Sequence, residues 1–209
     1  MLNNVTILLY LLIITLAGFA LLIVVSLKLR KRLQQKALNL TASEIYHQVN
    51  TQAHFLNLDP DHLIYAVYQD SSSTEITLLV RDQLDNAIGS IRKPTLGRKR
   101  FLNTGNKDFI IEFPPTWRRT AILSSAFDGR VLARYKQSSW GGSHEYEIDG
   151  YGNLKSYRSN FDFKGTWLYL KDSQKVGMKQ SISSMRETGN LILLPTEIPL
   201  PVRLFILAV

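Results

Sequence analysis

The sequence predicts a mainly β domain, preceded by one transmembrane helix and a short amphipathic helix, and ended by an apolar helix buried on all sides. Three observations carry this prediction. Val5 to Leu27 contains no charged residue, the chain from about Leu63 onward alternates apolar and polar residues in short runs, and the last residues read PLPVRLFILAV. With 209 residues there is room for one domain of ordinary size and an appendage.

Residues 1–27 form the predicted anchor. The run VTILLYLLIITLAGFALLIVVSL matches the roughly 20 helical residues that span about 30 Å of hydrocarbon. A cleaved signal peptide fits poorly, because MLNN supplies no basic start, the apolar stretch is long, and no small-x-small site ends it. Lys28, Arg30, Lys31, Arg32 and Lys36 all follow the run and precede the first acid, Glu44. Basic residues next to a span stay on the cytoplasmic side, so the expected topology is single-pass, with the amino terminus outside and the domain in the cytoplasm. The same five residues are candidates for contact with anionic lipid, although a topology signal accounts for them as they stand.

They also explain the net charge. The formal charge is +8, but without these five cations the chain carries 20 basic against 17 acidic residues, a near balance that gives no reason to expect nucleic acid. There is no cysteine, which excludes disulfides, thiolate nucleophiles and cysteine-ligated metals.

Residues 28–62 link anchor to domain. Ile45, Val49 and Phe55 or Leu56 fall on one face at helical spacing, with Thr41 or Ser43 as candidate N-cap. Asp59, Pro60, Asp61 and His62 read better as a capped turn than as a metal site.

Residues 63–209 form the β domain. Phe109, Ile111 and Phe113 alternate with Ile110 and Glu112; Val131, Ala133 and Tyr135 alternate with Leu132, Arg134 and Lys136; His144, Tyr146 and Ile148 alternate with Glu145 and Glu147. Period two repeated in this way means half-buried antiparallel strands, and about ten such segments lie before Leu194. Turn sequences such as DQLDNA, FDGR, SSWGGS and DGYGN punctuate them at the spacing of hairpins in a sandwich or barrel. DNAIGSIRK, DGRVLARYK and DSQKVGMKQ form a weak internal repeat: an Asp-led turn, an apolar residue, a small residue, then a strand ending near a base. The final run is too short to cross a bilayer, and Pro201 suits the first turn of a helix that a barrel interior would bury.

Catalytic signatures are missing. His47, His54, His62 and His144 form no zinc-binding pair, and there is no Walker loop, nucleophile elbow or dinucleotide fingerprint. Ser143, His144 and Glu145 are neighbours in a strand and so point to opposite faces, which rules them out as a triad. An edge strand after a hairpin turn is the expectation there. No cofactor or metal is expected, and the protein reads as a non-enzyme. Trp117, Trp140, Trp167, Tyr157 and Tyr169 are expected in the core or as cross-strand partners. The remaining candidate is IRKPTLGRKR, in which Arg92, Lys93, Arg98, Lys99 and Arg100 surround a turn, with Arg118 and Arg119 further on. Such a cluster beside an anchor suits phosphate-bearing head groups; the competing reading is a solvated turn whose cations protect an exposed edge.

The hairpins AFDGRVLARYK, EIDGYGNLKSYR and LKDSQKVGMKQ, followed by PTEIPLPVRLFILAV, resemble the tubby-like superfamily, especially its LURP-one-related and phospholipid-scramblase-like domains, over residues 63–209. The resemblance implies a closed antiparallel barrel of about twelve strands around an apolar carboxyl-terminal helix. It also brings functional associations: phosphoinositide binding and membrane tethering in tubby proteins, lipid movement in scramblases. No lipid-binding position carries over residue by residue. A span at the amino end departs from scramblases, which place theirs at the carboxyl end, and their acidic calcium segment has no clear counterpart. The leading expectation is a membrane-anchored binding or scaffold module for anionic phospholipid or a membrane protein, with a scramblase-like activity as the alternative.

Overall fold

The computed structural model describes residues 12, 14–25, 28, 45, 47, 58, 63–71, 74–116, 119–138, 143–159, 165–182 and 189–209. They divide into two units, Met1–Lys36 and Ala37–Val209.

In the first unit residues 14–25 are helical, and Leu16, Phe19, Leu21 and Leu22 stay more than half exposed. Among the described residues no helix is long and apolar enough to cross a membrane. Much of the expected span, with Arg30, Lys31, Arg32 and Lys36, lies outside the described residues; Lys28 is helical.

The second unit is an antiparallel barrel. Its strands are β1 (Leu63–Ser71), β2 (Glu75–Asp82), β3 (Ala87–Pro94), β4 (Lys99–Asn103), β5 (Asp108–Glu112), β6 (Thr120–Ser125), β7 (Val131–Gln137), β8 (Ser143–Ile148), β9 (Gly152–Arg158), β10 (Trp167–Lys171), β11 (Gln174–Ser181) and β12 (Gly189–Leu193). Each pairs with its neighbours in sequence, and β12 closes on β1 through Leu63–Leu193 to Val67–Gly189. Closure leaves no unpaired edge. It also corrects the expectation of an edge strand after SSWGGS, because β8 is paired on both sides, to β7 and β9.

Alternation decides what faces inward. Ile91, Leu102, Phe109, Ile111, Leu123, Ala133, Tyr146 and Leu154 are buried inside, around helix α1 (Leu200–Ala208). Pro199 sits at the N-cap and Pro201 in the first turn, where a missing N–H costs nothing. Val202, Leu204, Phe205, Ile206, Leu207 and Ala208 are all buried, so the helix is the barrel's core. Two strands have no room for a side chain at one inward position. A Cβ on Gly89 would strike the Asn103 carbonyl oxygen and come within 3.1 Å of Leu204, and one on Gly177 would meet Leu193 and Leu194.

The weak repeat has a structural counterpart. Its three Asp-led turns join β2–β3, β6–β7 and β10–β11, four strands apart, and each of these pairings contains a register irregularity. Asp85, Gly129 and the pair Asp172–Ser173 take left-handed backbone there. The strands that follow, β3, β7 and β11, each turn a small residue inward: Gly89, Ala133 or Gly177.

A second apolar cluster lies on the outer face, where Leu168, Met178, Leu191 and Leu193 surround Ile45, which is 1% exposed. Positions 45 and 47 are helical, with Ile45 buried and His47 exposed, in keeping with an amphipathic helix. Thr41, Ser43, Val49, His54, Phe55, Leu56 and the Asp59–His62 turn lie outside the described residues.

Candidate functional site

In an up-and-down barrel hairpins alternate between ends. The connections β3–β4, β5–β6, β7–β8, β9–β10 and β11–β12 therefore share one end, and α1, which enters from the other, points its carboxyl end toward them. That end opens into a cavity of about 740 Å³ lined by Arg100, Arg119, Arg158, Lys179, His144 and Trp167, among others. No Asp or Glu side chain is among the described lining residues.

The predicted basic cluster is split by the pleat. Lys93 follows the inward Ile91 by two residues, and Arg100 precedes the inward Leu102 by two, so both turn inward. Arg92 and Lys99 take the outer face: Arg92 lies 5.3 Å from the Phe101 ring, and Lys99 pairs with Glu112 at 2.7 Å. Arg98 is exposed in the turn. The five residues therefore form no single patch.

Inside, the two inward cations meet a third that sequence reasoning missed. Lys179 of β11 stands two residues beyond Gly177 on the same face, and its Nζ donates to the Ile206 carbonyl at 2.9 Å. Arg100 Nη1 donates to the Ala208 carbonyl, while its guanidinium lies 4.6 Å from the Phe113 ring. Helix carboxyl ends carry partial negative charge and unpaired carbonyls, so both contacts cap α1. Lys93 makes no such contact.

The three cations sense one another. Burial, then the charges of Lys93 and Arg100, lowers Lys179 to about 7. Burial, then Arg100, lowers Lys93 to about 8. Burial likewise lowers Arg100. No Asp or Glu is among the causes of these shifts, which is the reverse of a structural salt bridge. Two helix carbonyls satisfy part of the donor capacity of Arg100 and Lys179, and both residues line the cavity.

The adjoining wall is aromatic, and Trp167 of β10 is the register partner of Lys179. His144 stacks on Trp167 at 4.2 Å and meets Tyr135 edge-on at 5.2 Å. Burial, then Lys179 and Arg119, lowers His144 to about 4, so it is neutral at pH 7. Ser143 Oγ pairs with Ser138 Oγ, and the strand separates it from His144, so no nucleophile–base pair forms here. Among the described residues no group of His, Asp and Glu could hold a metal. Trp117, Trp140 and Arg118 lie outside the described residues, and Tyr157 packs with the outer cluster.

The signal that could have found Lys179 is the repeat. VGMKQ aligns with the Gly89 and Ala133 strands, and alternation from the small residue places Lys179 inward. Comparison with models of protein families, with curated proteins and with solved structures returned no match.

Proposed function

We propose that the protein is a membrane-anchored, non-catalytic binding module whose barrel mouth takes the phosphate of anionic head groups. The observation that carries this reading is the cavity lined by Arg100, Arg119, Arg158 and Lys179, without an Asp or Glu among its described lining residues, and with Lys93 close enough to lower Lys179. Guanidinium forks and ammonium groups in a partly dry cleft suit phosphate oxygens, and such charge-assisted bonds are about twice as strong as neutral ones. The charge-free run before Lys28 and the exposed apolar side chains of its helical residues support the anchor. The barrel wrapped about α1 is the architecture that the tubby-like resemblance implies, and it supports that kinship. Lipid movement gains no support from the barrel, whose interior is filled by α1.

The test uses the full chain in phosphatidylcholine nanodiscs, captured on a sensor and exposed to vesicles with or without phosphate-rich anionic lipid. Binding to anionic vesicles should weaken with salt and fall about tenfold or more in Arg100→Gln, while Arg92→Gln keeps it. Salt-insensitive binding, or equal loss in both variants, contradicts the reading.

A further inference from the structure

Resting on that reading, we infer that the β3–β4 turn at the mouth is a membrane-inserting tip, which buries Leu96 among the acyl chains of an anionic leaflet and so sets the cavity at head-group depth. Among the described residues of the barrel unit, Leu84, Leu96 and Phe127 are the large apolar side chains left exposed, at 73%, 88% and 98%. Topology sorts them. Leu96 lies in the β3–β4 connection, at the mouth, whereas Leu84 and Phe127 lie in the β2–β3 and β6–β7 connections, at the far end. Backbone ties hold the Leu96 turn in place. The Thr95 N–H donates to the Thr74 carbonyl at 2.7 Å, the Phe113 N–H donates to the Arg98 carbonyl at 2.8 Å, and Gly97 takes left-handed backbone with φ 115°. A tip that is already ordered gives up little further entropy when it is buried.

Charge separates the three tips. Arg98 follows Leu96 in the exposed turn. Behind it Arg92 lies 5.3 Å from the Phe101 ring, Lys99 pairs with Glu112 at 2.7 Å, and Glu75 is the register partner of Pro94. Bases therefore outnumber acids around Leu96. Leu84 stands beside Asp82 and Asp85, the second of them paired with Arg81 at 2.8 Å. Phe127 precedes Asp128, and Arg130 at the end of that turn pairs with Asp149 at 2.6 Å. Acids outnumber bases at both far-end tips, so an anionic leaflet repels them and attracts the mouth. An apolar side chain that leaves water and cations that meet head groups are the two contributions that hold a peripheral surface on a charged bilayer. The hairpin that bears Leu96 also supplies Arg100 to the cavity lining, so insertion of its tip brings the opening to the phosphates.

The chain contains no cysteine, so Leu96→Cys, Leu84→Cys and Phe127→Cys each accept a single environment-sensitive fluorophore. The labelled full chain is held in phosphatidylcholine nanodiscs and mixed with vesicles that contain phosphatidic acid and carry nitroxide quenchers on their acyl chains. On binding, the label at position 96 should shift to the blue and be quenched, while labels at positions 84 and 127 keep their aqueous emission. Without any label, Leu96→Ser should lower the affinity for these vesicles about tenfold, through loss of the side chain's transfer from water, and Phe127→Ser should leave it unchanged. Bound vesicles with an aqueous label at position 96, equal quenching at position 84 or 127, or full affinity in Leu96→Ser overturns the inference and turns Leu96 over to a protein partner, with the phosphate reading of the mouth still standing on its Arg100 dependence. Failure of the unaltered chain to bind anionic vesicles removes that broader reading instead, and the insertion with it.

Discussion

Lys179 shows how one residue's environment alters the molecule's pH response. The unfolded chain would hold its proton near 10.5, whereas the folded barrel lowers that to about 7. Between these values the unfolded state binds more protons, so stability rises with pH across that window. Lys93, lowered to about 8, acts in the same direction over a narrower range. His144, lowered to about 4 from 6.5, adds a loss of stability as pH falls through that interval. Thermal unfolding of the ligand-free protein should therefore give a higher Tm at pH 9 than at pH 6.5. Lys179→Met should shrink that difference; an unchanged slope would show that Lys179 is not held in a depressed state. The residue scale is also where the sequence was least legible. Arg92 and Lys93 are adjacent letters in one basic run, yet one is outside the barrel and the other inside. Only strand register separates them, and register is fixed by partners distant in sequence: Arg92 with Thr77 and Phe101, Lys93 with Ile76.

Among the elements, α1 decides the fold's integrity. Its apolar residues face strands on every side, so truncating Phe205, which is 0% exposed, to Ala should cost about 3–5 kcal/mol. Denaturant unfolding measures that directly. Gly89→Ala is a smaller change with a comparable consequence, since the new Cβ meets the Asn103 backbone and not a side chain that could turn away. A loss of about 1–3 kcal/mol is expected, and retention of full stability would mean that β3 can move away from β4 at Asn103. Arg203 works the other way. It lies in the first turn of α1, where a cation opposes the helix dipole, and its Nε is buried without a partner. Arg203→Leu should hold or raise Tm, and a marked loss would assign Arg203 a contact of its own. Helix α1 was legible in the sequence because a short, all-round apolar segment behind two prolines has no other place to pack. The strands were legible where alternation is strict, as in His144–Ile148. Sequence reading found about ten segments and the barrel has twelve. Strands such as β11 (QKVGMKQS) blurred the pattern, because their outer face is buried too, beneath Ile45.

At the scale of the whole molecule, closure joins these features. A meander of twelve strands encloses α1, and the polarity of that helix makes the two ends of the barrel different. The helix's carboxyl end accepts from Arg100 and Lys179 at one mouth, where Arg119 and Arg158 also line the cavity. The three repeated hairpins, four strands apart, give the barrel an approximate internal periodicity, and two of the strands that follow them, β3 and β11, carry the inward lysines. Barrel and helix were therefore legible from pattern, while the mouth was not, because it is assembled from strands far apart in sequence. Hydrogen–deuterium exchange of the full chain with and without phenyl phosphate tests the central claim most directly. Protection gained in β4, β11 and the last turn of α1 is the predicted result. Protection confined to the outer faces around Arg92 and Lys99, or none at the mouth while the ligand is bound, would contradict it.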